Sequence, residues 1–95
     1  MRKLMYLMAL LVVVPGVANA QLLVPMDETQ ANHLKAYGLT YWTLDRKLTA
    51  EWLLNYRAGS FLLPDRADIR REAALRGVTF EAIGPAQLAQ IRKQI

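Results

Sequence analysis

The sequence predicts a small α/β unit with a short, mainly parallel sheet and helices layered against it, and three observations carry that prediction. Extended apolar runs near 22–24, 52–63 and 78–83 alternate with helical stretches in the order β-α-β(β)-α-β-α. Start and stop residues bracket those stretches, with Asp27 before the first, Asp65 and Gly77 around the second, and Gly84-Pro85 before the third. Ninety-five residues leave room for one small domain at most. The expected architecture is therefore a partial three-layer unit preceded by a signal-peptide helix.

Residues 1–20 read as that signal. Arg2 and Lys3 give a positive start, and Leu4 to Val14 form an apolar run of 11 residues, too short for the roughly 20 that span a bilayer. Pro15-Gly16 breaks the helix, and Ala18-Asn19-Ala20 places small residues at the −3 and −1 positions of a cleavage site. Cleavage between Ala20 and Gln21 implies export to the periplasm or beyond, with only transient membrane contact. Residue 21 is not cysteine, so lipid attachment at that position is excluded.

The mature chain opens with Leu22-Leu23-Val24, a brief buried strand ended by Pro25. Asp27 at the N-cap and Gln30 at N3 fit a capping box, with Glu28 beside the positive helix end. Leu34, Tyr37, Tyr41, Leu44 and Leu48 then recur at steps of 3 and 4, which predicts one apolar helix face against the core. Gly38 beside that row marks a point where another backbone comes close, although strand-forming residues around 39–43 leave a break there open. Residues 52–63 fit a hairpin turning at Ala58-Gly59 or one bent strand, with the hairpin preferred. Asp65 caps a second helix with Ile69, Ala73 and Leu75 or Arg76 inward, and Gly77 stops it. Val78 to Ile83 alternates as a half-buried strand, and Pro85 starts a last helix with Leu88, Ile91 and Ile95 on one side.

Composition narrows the function classes. Without Arg2 and Lys3, the 12 basic residues become 10 against 8 acidic ones, a net +2. Arg66, Arg70 and Arg71 are interleaved with Asp65, Asp68 and Glu72, unlike the single-sign patch that nucleic acid requires. The chain has no cysteine and a single histidine, so disulfides, thiol chemistry and a His-rich metal site are all excluded, and no cofactor is expected. The 75 residues after the signal sit near the lower limit for a self-sufficient core, and Ile95 carries no stop signal. The expectation is an N-terminal segment, 21–95, of a longer domain, partnered by the remainder of its own chain or by a homo-oligomer.

Three blocks, Met26-Asp27-Glu28-Thr29-Gln30, Asn32-His33-Leu34-Lys35-Ala36-Tyr37-Gly38 and Leu54-Asn55-Tyr56-Arg57-Ala58-Gly59-Ser60-Phe61, resemble the opening of secreted bacterial proteins labelled asparagine synthetase B. The similarity covers residues 22–83, and Ala58 stands where that family usually has a second glycine. The resemblance implies an amidotransferase-like α/β region downstream. The activity in the family label draws on an N-terminal cysteine nucleophile and a Ser-Gly-Gly-x-Asp-Ser ATP loop, and the chain contains neither. The implied role is a non-catalytic N-terminal portion that packs on the downstream region.

Ligands of open α/β sheets sit beyond the carboxyl ends of strands. By that rule Asp27, Glu28, Thr29, Gln30, Arg57 and Ser60 converge on one crevice suited to a small amide or carboxylate, half of an amide-hydrolase or amidotransferase cleft. The structural alternative has Asp27 and Gln30 as caps and Arg57 in one ion pair. His33 is a general-base or ligand-binding candidate, against a hydrogen-bonded structural histidine. Tyr37, Tyr41, Trp42, Trp52 and Tyr56 read as core and interface anchors rather than a stacking platform, which leaves an envelope interaction module as the third function class.

Overall fold

The computed structural model describes residues 20–95. The export segment expected over 1–20 therefore lies, apart from Ala20, outside the described residues. Among the described residues, four strands form one sheet, β1 (Gln21–Val24), β2 (Glu51–Leu53), β3 (Ser60–Pro64) and β4 (Glu81–Ile83), with three helices, α1 (His33–Asp45), α2 (Ala67–Arg76) and α3 (Pro85–Gln94). The strand order is β2-β3-β1-β4.

The α/β class and element order are as expected, but the sheet is antiparallel rather than mainly parallel. β1 pairs antiparallel with β3 through Leu22↔Leu63 and Leu23↔Leu62, and with β4 through Leu22↔Ala82; β2 pairs antiparallel with β3 through Trp52↔Phe61. The crossovers explain the difference. β1-α1-β2 and β3-α2-β4 each join strands that run the same way, as helical connections do. Each pair is split by an antiparallel strand, β3 in the first case and β1 in the second. This is the split β-α-β arrangement of ferredoxin-like sheets, with α3 added. Residues 52–63 form the hairpin, turning over 54–59.

β1 occupies the centre because Leu22, Leu23 and Val24 can each be buried, on alternate faces of the sheet. One face carries Leu22, Val24, Phe61 and Leu63 against Ala36 and Leu39 of α1 and Ile69 and Ala73 of α2. The other carries Leu23, Leu53, Leu62 and Ile83 against Ile91 and half-buried Leu88 of α3. The three-layer expectation holds in this form.

α1 departs most from expectation. It starts at His33, not at residue 28, and its N-cap is Asn32, whose side chain accepts from Lys35 N. Its inner face is Ala36, Leu39, Thr40 and Thr43. Four of the five residues in the predicted inner row instead face outward, with Leu34 78 %, Tyr37 55 %, Tyr41 71 % and Leu44 49 % exposed, while Leu48, beyond the helix end, packs against the core. Small residues win the inner side because α1 lies close to both the sheet and α2. Thr40 and Thr43 satisfy their hydroxyls on the carbonyls of Ala36 and Leu39, both at 3.0 Å. Gly38 serves close packing, but the approaching group is a side chain: a Cβ there would lie 2.8 Å from Arg76 Nη1.

The later elements follow the sequence more closely. Gly77 stops α2 at φ 70°. Asp65 does not cap α2 but holds Arg70 at 2.7 Å, and Asp68 occupies the first turn. Ile69 and Ala73 point inward while Leu75 is exposed. β4 covers 81–83 alone, with Val78 packed among the α1/α2 residues and Ile95 left exposed.

Candidate functional site

Residues Val24 to Thr29, the hairpin turn and β4 meet at Arg57. The turn is tight: Tyr56 O accepts from Gly59 N and Ser60 N, both at 2.9 Å, and Trp52 Nε1 donates to Gly59 O at 2.9 Å. Arg57, Ala58 and Gly59 all have positive φ, at 46°, 66° and 94°. Gly59 leaves no room for a Cβ, which would lie 2.9 Å from Trp52 Nε1. This backbone course aims the Arg57 side chain back across the sheet end, while its carbonyl accepts from Met26 N at 3.3 Å.

The guanidinium then makes three bonds to two other segments, the stretch after β1 and β4. Nε donates to Asp27 Oδ2 at 2.8 Å, Nη1 to Glu81 Oε2 at 2.9 Å, and Nη2 to the Thr29 hydroxyl at 2.9 Å. The Thr29 hydroxyl donates in turn to Asp27 Oδ1, which also accepts from Thr29 N at 3.1 Å. The Arg57 hydrogen bond, with the Thr29 hydroxyl next, pulls the Asp27 carboxyl down from its usual range to about 2. The same two carboxylates raise Arg57 further above its already high value.

The predicted convergence of Asp27, Thr29 and Arg57 is thus present, and the remaining candidates lie elsewhere. Glu28 is exposed and takes no part. Gln30 is buried and is not a helix cap. Its amide accepts from Thr79 N at 2.7 Å and donates to Thr79 O at 3.0 Å and Pro25 O at 2.8 Å, acting as a surrogate strand partner. His33 Nε2 faces the carbonyls of Asp27 and Met26 at 2.8 and 3.1 Å, so that nitrogen carries the proton and the ring is a structural donor. Ser60 is buried and gives its hydroxyl to Tyr56 O.

Glu81 was invisible to sequence reasoning. It lies 24 residues from Arg57, and nothing short of the β1–β4 pairing brings the two together.

Chemically the cluster is a clasp. Two carboxylates outnumber one guanidinium, which disfavours a carboxylate ligand. A carboxyl held near 2 stays ionised at neutral pH and lies far from the range useful to a general acid or base. An open groove of about 360 Å³ beside β2, lined by Trp52, Leu53, Leu54 and Ile95, also lacks convergent reactive groups, since Glu51 and Arg92 bind each other at 2.7 and 2.8 Å.

The other notable surface is aromatic. Tyr37 meets Phe61 edge-on at 5.7 Å, and Trp52 stacks on the same ring at 6.1 Å. The outward row of α1 is therefore continuous with the β2–β3 hairpin. Of the predicted anchors, Trp42 is half-buried under Arg46 and Tyr56 is half-buried toward α3, while Tyr37, Tyr41 and Trp52 remain exposed. Compared with protein-family models, curated proteins and solved structures, the chain matches none.

Proposed function

We propose that this chain is an exported, non-catalytic docking segment, the N-terminal portion of an asparagine synthetase B-like protein, working through the outer face of α1. One observation carries the reading: Leu34, Tyr37, Tyr41 and Leu44 line a single helix face and all lie open to solvent. Scattered exposed apolar residues need no explanation, whereas a contiguous patch of large ones marks an interaction surface. The family resemblance supplies the lineage, and the signal-like residues 1–20 supply the compartment. The Arg57 clasp supports the non-catalytic part, because its polar groups are committed to holding the chain together.

A photoreactive phenylalanine analogue at Tyr41 tests the docking face in the expressing cell. The expected result is a discrete protein adduct from Tyr41 and none from Gln90, an exposed position on α3 across the sheet. Equal or absent labelling at the two positions overturns the reading. N-terminal sequencing of the chain recovered from outside the cytoplasm is expected to begin at Gln21; a retained Met1 would remove the cleavage claim, and recovery from the cytoplasm alone would remove the export claim.

A further inference from the structure

Resting on the docking reading, we propose that the occupant of the α1 face is a second copy of this chain, paired antiparallel about a two-fold axis at the level of Leu39. The spacing of the exposed row points to this partner. Leu34 and Leu44 each lie five residues from position 39, and Tyr37 and Tyr41 each lie two residues from it. The row therefore reads the same in both directions, Leu-x₂-Tyr-x₃-Tyr-x₂-Leu.

A two-fold axis perpendicular to two antiparallel helices places residue i of one level with its mirror position on the other. At about 1.5 Å rise per residue, Leu34 then meets Leu44 of the partner subunit and Tyr37 meets Tyr41 of the partner subunit. Such self-complementarity is what an isologous interface requires, since one patch must serve both sides. A row facing an unrelated surface has no need of it.

Charge and area agree. The helix carries only two formally charged residues, Lys35 and Asp45. At about 100° per residue, Lys35 sits roughly 140° round from the centre of the row, and Asp45 lies at its end. No charge need be buried between the Leu34 and Leu44 levels, in keeping with the depletion of charge at interface cores. The inner face, Ala36, Leu39, Thr40 and Thr43, is already used by the chain's own sheet and α2, so pairing through the row costs no internal contact. With Trp52 added beside Phe61, the exposed large side chains present on the order of 600 Å², counting about 150–250 Å² for a whole aromatic side chain. Standard interfaces bury roughly 600–1,000 Å² per partner, so the patch reaches the lower end of that range.

The cysteine-free sequence makes the register directly testable. The full chain, recovered from the expressing cell in whatever processed form it takes, is expected to sediment at twice its mass, and the Tyr41→Glu variant at its single mass. Leu34→Cys and Leu44→Cys chains are then oxidised separately and as a mixture. The mixture is expected to give at least several-fold more cross-linked dimer than either variant alone, because like positions lie about 15 Å apart along the axis. Both substitutions are at exposed positions, and unchanged circular dichroism confirms that they fold. A monomeric full chain, or a Leu34→Cys chain that cross-links alone as well as the mixture does, overturns the proposal. The Tyr41 photo-adduct separates the two readings. An adduct of twice the chain mass supports the second copy. An adduct with any other protein surface, including the amidotransferase-like region that the resemblance implies, ends the second copy and leaves docking intact. No adduct at all ends both.

Discussion

The Arg57 clasp and the outer face of α1 differ in how the chain completes them. The clasp gathers Asp27, Thr29, Arg57 and Glu81 from three segments and satisfies their charges among themselves. The helix face gathers four large apolar side chains from one segment and leaves them in water. Both attract functional readings in the sequence, one as a cleft and the other as a buried helix face. Polar residues that converge and are consumed internally describe a fastening, whereas apolar residues that align and are not consumed describe an interface.

The strongest way to break that contrast lies within α1 itself. Leu39 is fully buried between the sheet and α2 while Tyr41, two residues on, is 71 % exposed. Leu39→Ala is expected to cost about 2–5 kcal/mol of unfolding free energy. Tyr41→Ala, measured at concentrations too low for self-association, is expected to stay within about 0.5 kcal/mol. Urea denaturation compares the two, and similar costs would mean that Tyr41 packs inside the monomer. The clasp comes next. Arg57→Ala removes three charge-assisted bonds and leaves Asp27 and Glu81 facing each other uncompensated, an expected loss of about 2 kcal/mol after discounting for partial exposure. A loss under about 0.5 kcal/mol by the same assay would show that the clasp fastens nothing.

The third test uses the turn that aims Arg57. Ala58 sits at φ 66°, which costs a side-chain-bearing residue about 1–2 kcal/mol. Glycine relieves that strain but gives the unfolded chain more freedom, so Ala58→Gly is expected to stabilise by about 0.5–1 kcal/mol net. A thermal melt reads it. A lowered midpoint would mean that the turn relaxes when the methyl group leaves, loosening the clasp with it.

These regions also show what the sequence could reveal. Local chemistry was legible: Gly77 as a helix stop, Pro85 as a helix start, a turn through Ala58-Gly59 (though it begins earlier, at Leu54, where strand was expected), and β1 as a buried strand each depend on residues close in the chain. Periodicity located α1 but assigned its faces the wrong way round. A row of Leu and Tyr looks like a core face, whereas close approach to α2 and the sheet selected Ala36, Leu39, Thr40 and Thr43 for the inner side. Asp27, Thr29 and Arg57 were grouped on the premise of adjacent strand ends, and the grouping survived although the sheet is antiparallel rather than mainly parallel. Glu81 and the pairing of Gln30 with Thr79 were out of reach because each spans a long stretch of chain and depends on strand order. Sequence indicated which groups could bond, and only topology indicated which would meet.

The smallest effect isolates one side of the clasp by pH. Asp27 is held at about 2 in the folded chain, chiefly by Arg57, against about 3.9 for an unperturbed aspartate. The folded value is the lower one, so the unfolded state binds the proton more readily and acid favours unfolding. The stabilisation from Asp27 is fully present above about pH 4 and disappears as pH falls toward about 2. Asp65, Asp68 and Glu51 are lowered by their own arginines and contribute acid sensitivity over the same range. The informative quantity is therefore the difference between the parent chain and Asp27→Asn. The urea midpoint of the variant is expected to lie below that of the parent at pH 6, and the gap to narrow steadily from pH 4 to pH 2. A gap that stays constant across that window would mean that Asp27 accepts from Arg57 without its charge mattering, and the clasp would then be a hydrogen-bond network rather than an ion pair.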